Sequence, residues 1–381
     1  MFRHVPLMVR NAVRNRRRSV LTVCSVAASL CLLGVMMALY YAFFLAPPSQ
    51  QQALRVVTRN RISITNVMPM SYRQKIQQVP GVRAVTVMQW FGGTYKDPKN
   101  IFARMAIEPE HFETVYPEYR IIDGSAEAFK KERTACLIGK DLAAKYNLKV
   151  GDRMTLVGDI FPVTMEFVVR AIYDFPIDNE SMFFDLKYLF ESITERDFAG
   201  LFIMLVDSPD HITRISKEID EMFRNAPVQT RTESEKAFQV AFLSFLGNVK
   251  AFLMSICAAV TFTILLVTAN TMAMSVRERI REVGILKTLG YTNRDVLTIV
   301  LGEAAVLSLA GGILGCGLAQ LLTGVIRQMP GFIGEFKTLT ILPPVAAALL
   351  LLSVVIGLSS SFIPAWSASR TNILDSLRYT G

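Results

Sequence analysis

Four long runs without a single charged residue constrain this chain more than anything else in it: Ser19–Leu54, Ala251–Val276, Ala304–Ile326 and Thr338–Ser369. A helix that crosses about 30 Å of hydrocarbon needs about 20 apolar residues. All four runs meet that length, with polar ends shortening the first and the last. Soluble chains of 381 residues rarely carry four such runs, and 51% of the residues here are hydrophobic. The runs predict membrane helices at 19–46, 248–276, 296–326 and 341–366. The expected fold class is therefore a four-helix membrane α-helical part joined to an exported α+β domain.

Orientation follows from the basic residues that flank the spans. Arg3, Arg10, Arg14, Arg16, Arg17 and Arg18 precede the first, and Arg277, Arg279, Arg281, Lys287 and Arg294 lie between the second and third. The tail adds Arg370 and Arg378, whereas the connection at 327–340 has only Arg327 and Lys337. Both termini and the 277–295 connection are thus expected in the cytoplasm, with 47–247 exported. The first apolar run is much longer than the 7–15 residues typical of a signal-peptide core, so it reads as an uncleaved anchor. Residues 1–18 suit a basic amphipathic helix in the lipid headgroups and equally a plain basic flank. The tail spans 367–381.

Residues 47–247 alternate strand-like and helix-like stretches. Ile62–Thr65 reads as a strand, Ser71–Gln78 as a helix and Val82–Trp90 as a strand. Phe202–Val206, Asp210–Phe223 and Val228–Arg231 repeat that order. Two such units around an insertion fit a split βαβ layer. The insertion, about 97–200, has strand-like Ala103–Ile107, Ala135–Ile138, Arg153–Val157 and Val163–Ile172, and reads as a β-rich subdomain. Gly151 supplies a turn position and Asp152 can bond its following backbone. Thr232–Glu235 matches a capping box. An apolar stripe of Phe238, Phe242, Phe245 and Val249 continues from it to Ser275. One helix of that length would span roughly 65 Å at 1.5 Å per residue. It would form a stalk, with Gln50–Arg61 as its partner. Cys136 is the one cysteine in the exported part, so no disulfide framework arises there.

The most informative segment is Asn270–Gly290, where the second run turns into a densely charged helix closed by glycine. Val276, Ile280, Val283, Leu286 and Leu289 would form its apolar face. Glu282 falls away from that stripe and is expected to meet a partner. Gly284 costs about 1 kcal/mol against alanine inside a helix, which points to a close backbone approach. Gly290 suits a left-handed cap. The order Asn270, Met272, Ser275-Val-Arg-Glu-Arg279, Arg281-Glu282, Gly284-Ile-Leu-Lys287, Leu289-Gly290 resembles the coupling segment of the MacB/FtsX/LolC–LolE family of ABC-transporter permeases. So do Cys136–Val157 and the terminal block Pro364–Arg370 with Ile373–Arg378. Ser360, Ser361 and Ser376 depart from the more apolar or alanine-rich residues usual there. Pro364 can end or kink the last helix at the membrane surface, where Trp366 suits the interfacial belt. Gly311, Gly312, Gly315 and Gly317 give the third span a small-residue face for close helix packing. Glu303 should face the bundle or the headgroups, as a coupling or capping residue.

The resemblance implies a permease subunit of a MacB-type exporter in a bacterial inner membrane. Arg277, Glu278, Arg279, Arg281, Glu282, Gly284, Lys287 and Gly290 would serve ATPase coupling. Two copies would pair, each with a separate ATPase subunit that binds ATP and Mg, and this chain would hold no cofactor or metal and be no enzyme. A periplasmic adaptor and an outer-membrane channel are further expected partners, as is membrane lipid. Release of lipoproteins, as in LolC–LolE, and FtsX-like control of a cell-wall hydrolase remain open. The chain contains no Gly-x4-Gly-Lys-Ser/Thr loop for nucleotide phosphates, no His-Glu-x2-His metal motif and no Gly-x-Ser-x-Gly elbow. Its net charge of +9 is explained by the basic flanks, so nucleic acid is not expected.

Overall fold

The computed structural model describes residues 16–175, 178–194, 197–245, 248–278, 280–328 and 339–370. Residues 46–247 form one compact unit and the apolar helices form another. Residues 1–15 of the expected helix at 1–18, Arg279, most of the 327–340 connection and the tail beyond Arg370 lie outside the described residues.

The unit of residues 46–247 is organised by one ten-stranded sheet. Its strands, in chain order, are β1 (Arg55–Asn60), β3 (Val82–Trp90), β4 (Arg104–Ile107), β5 (Arg120–Gly124) and β6 (Ala135–Gly139). They continue with β7 (Arg153–Val157), β8 (Thr164–Asp174), β9 (Met182–Asp185), β11 (Leu201–Val206) and β12 (Thr230–Ser234). Two short strands, β2 (Met68–Pro69) and β10 (Phe198–Ala199), pair separately. The order runs β12-β1-β11-β3-β4-β9-β6-β8-β5, with β7 also on β8. β11 lies antiparallel between β1 and β3, which makes the expected split βαβ layer. The strands of the insertion do not form a sheet of their own. β4 pairs with β3 and β9 with β4, so they extend the first sheet.

Alternation explains why both faces are buried. Val56, Phe202, Met204, Cys136 and Ile138 enter one core, and Val57, Ile203, Leu201, Ala135 and Leu137 enter the other. Helices Tyr72–Gln77 and Ile212–Met222 cover the first face through Ile76, Ile215 and Ile219. Helices Pro109–Val115 and Ala126–Lys131 cover the second through Phe112, Val115 and Phe129. A strand covered on both faces loses its polar alternation, as β6 shows in having all five residues buried.

Several local expectations change. Ile62–Thr65 is a turn rather than a strand: Asn60 Oδ1 accepts the Ile62 amide at 2.9 Å and Ile62 is exposed. Gln50–Arg61 does meet helix Glu235–Phe245, through strand β1 and the residues before it: the Gln52 side chain donates to Gln239 at 2.9 Å. Thr232 stays in β12 and bonds Thr58 and Asp220, so Ser234 caps the next helix, accepting the Ala237 amide at 3.2 Å. Asp152 bonds backward to the Lys149 amide, while Gly151 takes the expected positive φ of 99°. The long helix is not continuous: one element is Glu235–Phe245 and the next is Val249–Glu278. Asn248 lies between them and its side chain accepts the Ala251 amide at 3.0 Å, a helix start.

Four helices are long and apolar enough to cross a membrane: Ser19–Leu45, Val249–Glu278, Asn293–Arg327 and Pro343–Arg370. Val26, Leu30 and Leu33 of the first, Ile264 of the second, and Leu349 and Ile356 of the fourth share one core. A Cβ on Gly311 would stand 2.7 Å from Val26 Cγ1, and one on Gly315 2.8 Å from the Ala27 carbonyl, so these glycines let the first and third helices touch. Gly312 faces Ser353 of the fourth helix in the same manner, whereas nothing approaches Gly317 within 4 Å. Pro364 does not end the last helix, which continues to Arg370; there the guanidinium lies 4.5 Å from the Trp366 ring centre.

Candidate coupling segment between the second and third apolar helices

A short helix, Ile280–Thr288, joins the second and third apolar helices. Its C-terminus is closed by backbone geometry alone. The Tyr291 amide reaches back to the Leu286 carbonyl at 3.1 Å and the Gly290 amide to Lys287 at 3.1 Å. That is the Schellman pattern, with Gly290 at φ 92° in the left-handed region where it requires glycine. The next helix begins two residues later. The Thr292 amide donates to Asp295 Oδ2 at 2.9 Å, and the Asp295 amide donates back to Thr292 Oγ1 at 3.3 Å. This reciprocal capping box is legible in the sequence as Thr-x-x-Asp. Cap and box leave four residues, Leu289–Thr292, with no slack between two helices.

The helix is tied to a third element as well. Lys287 Nζ donates to the Ser369 carbonyl at 2.7 Å, near the end of the fourth apolar helix. The loss of water there lowers the ammonium pKa below its ordinary value. Lys287 is therefore an internal strut, not a free surface charge. Val283 and Gly284 are buried.

Glu282 does not lie on an outward face. It is half-buried and lines a cavity of about 40 Å³ together with Val276, Val283, Leu286 and Glu303. Leu289, expected inside, is 71% exposed, and Ile285 is 47% exposed. Leu289 follows the last helical residue, Thr288, and belongs to the exposed turn that the Gly290 cap closes, so the apolar stripe of Val276, Val283 and Leu286 does not extend to it. Arg277, Glu278 and Arg281 are exposed as expected. Arg281, Ile285 and Thr288 of the short helix, with Leu289 just after it, form the outward side: a basic residue, two large apolar ones and a hydroxyl. Glu303 is buried and lines the same cavity beside Met272, Ser275 and Val276 of the second helix, so it faces the bundle.

Four membrane-type helices carrying a large α+β domain define a multi-pass membrane protein with an exported part. Residues 19–222 match the MacB-like periplasmic core domain, and residues 254–373 match the FtsX-like permease C-terminal domain. The chain belongs to the MacB/FtsX family of ABC-transporter permeases. It is 28% identical over 331 residues to an uncharacterized ABC transporter permease, MJ1507, of Methanocaldococcus jannaschii, spanning 80% of this chain and 79% of that one. It is 38% identical over 108 residues to the macrolide export ATP-binding/permease protein MacB of Chromobacterium violaceum, spanning 28% of this chain and 16% of that protein. Among solved structures, the extracellular domain of the noncanonic ABC-type transporter YknZ from Gram-positive bacteria is 14% identical. It aligns with a TM-score of 0.37 over 47% of this chain and 99% of that domain.

Proposed function

We propose that this chain is the membrane subunit of a MacB-type exporter and that the Ile280–Thr288 helix receives force from a separate ATPase. The observation that carries this reading is the helix's attachment. It is held at its C-terminus by the Gly290 cap and the Thr292–Asp295 box, and at Lys287 by the fourth apolar helix. A displacement of such a helix passes to the spans instead of being absorbed in a loose connection. Its outward side offers Ile285 and Leu289 as apolar anchors inside a charged rim, the composition of a small protein interface.

Two copies would pair in the inner membrane. The second apolar helix has the least cover from its neighbours, 17% of its apolar window against 44% for the first and third, and so has the most surface for a second copy or for lipid. Work would be done on a substrate outside that membrane, through an adaptor and an outer-membrane channel. ATP and Mg would be held by the ATPase.

The test is reconstitution with the cognate ATPase. Leu289→Glu should lower ATPase affinity at least tenfold without changing insertion or dimerisation. Wild-type affinity in that variant would refute docking at this helix.

A further inference from the structure

The unit of residues 46–247 contains a cavity of about 1060 Å³, at the upper end of the roughly 300–1,000 Å³ that small-molecule sites occupy. Its chemistry is one-sided. Part of the lining is an aromatic cluster in which the Phe112 and Phe183 rings lie 5.0 Å apart and Tyr116 meets Phe175 at 6.0 Å. Phe238 and Phe242 of helix Glu235–Phe245 add a further apolar wall. The ionisable groups of opposite sign are missing. Asp178, Glu191 and Glu235 line the cavity, and no Lys, Arg or His does so among the described residues. In a chain with 41 basic and 32 acidic residues, an all-acidic lining is against the overall balance.

The carboxylates nearby are only partly neutralised. The Arg55 guanidinium is shared between two of them, Glu118 at 2.5 Å and Glu235 at 2.7 Å. Arg133 likewise serves both Asp185 at 2.8 Å and Glu191 at 3.7 Å. Among the described residues each cluster holds one acid more than base.

We propose that this cavity binds an amphiphilic cation, an apolar or aromatic body that bears one ammonium group. The body would occupy the aromatic walls. The cation would be held by ring faces, whose quadrupoles attract positive charge, and by the excess carboxylate. An anion of the same shape would meet repulsion from both the rings and the carboxylates. The site goes beyond the transport reading and does not require it, since binding can be measured with no ATPase present.

The test titrates the full chain in nanodiscs by fluorescence anisotropy with rhodamine 6G, a cationic xanthene, and with fluorescein, an anionic dye on the same ring system. The expected result is saturable rhodamine 6G binding above that of empty nanodiscs, and fluorescein binding at least tenfold weaker. Glu191→Gln changes a half-exposed side chain and removes one of the acids in excess; it should weaken rhodamine 6G about three- to tenfold. Met105→Arg should abolish binding by filling the cavity with a tethered cation. Equal binding of the two dyes would overturn the proposal. So would rhodamine 6G binding no greater than to empty nanodiscs, or rhodamine 6G affinity unchanged in Glu191→Gln.

Discussion

Gly290→Val is the sharpest test of the turn that holds the connecting helix. The residue sits at φ 92°, and no atom lies within 4 Å of the position its Cβ would take. A substitution there meets no steric neighbour, so whatever it costs comes from backbone conformation alone. A β-branched residue forced into this region is strained by about 1–3 kcal/mol. At 0.59 kcal/mol per RT that lowers the population of the closed turn by a factor of about 5 to 150. Loss of the turn releases the Tyr291–Leu286 and Gly290–Lys287 bonds together and frees the short helix from the third apolar helix. Coupling should fall by a similar factor, read as substrate-linked ATPase stimulation after co-reconstitution, while insertion is unchanged. Gly290→Asn separates backbone conformation from side-chain identity, because asparagine tolerates the left-handed region better than other non-glycine residues; it should retain most of the coupling. Wild-type coupling in Gly290→Val, or equal loss in both variants, would refute the reasoning.

Other consequences can be measured on the same preparations. Gly315→Val places a side chain 2.8 Å from the Ala27 carbonyl and should destabilise the solubilised chain by about 1–3 kcal/mol, whereas Gly317→Val, with nothing within 4 Å, should leave its melting temperature unchanged. Glu235→Ala leaves Arg55, fully buried, with one carboxylate, and should cost about 3–5 kcal/mol in thermal unfolding of the full chain; a shift below 1 kcal/mol would show that the pair is dispensable. Burial pushes the Cys136 thiol well above its ordinary pKa, so in a background lacking the other four cysteines it should resist maleimide at neutral pH until the chain is denatured. Single cysteines at Lys140 and Ile285 should label from opposite sides of the membrane, and labelling from one side would break the four-helix topology.

The sequence by itself determined the four membrane helices, because a run of about 20 uncharged residues has few other places to go. It also determined the turn at Gly290, since helix capping is a local matter of one glycine and its neighbours, and three of the four strands of the split βαβ layer, since hydrophobic period is local too; the remaining strand lies at Arg55–Asn60 and not at Ile62–Thr65. Tertiary structure decided what depends on partners distant in the chain. Arg55 reads only as part of the Gln50–Arg61 stalk partner until Glu118 and Glu235, 63 and 180 positions away, close around it. The insertion reads as a separate subdomain until β4 hydrogen-bonds to β3 and the two sheets become one. Leu289 is exposed because the helix ends at Thr288 and the Gly290 cap turns the chain, and Glu282 is half-buried because the third apolar helix brings Val296 and Glu303 to the same cavity. The Lys287 strut rests on a carbonyl 82 residues on, and a carbonyl is the same at every position, so no residue pattern could have announced it.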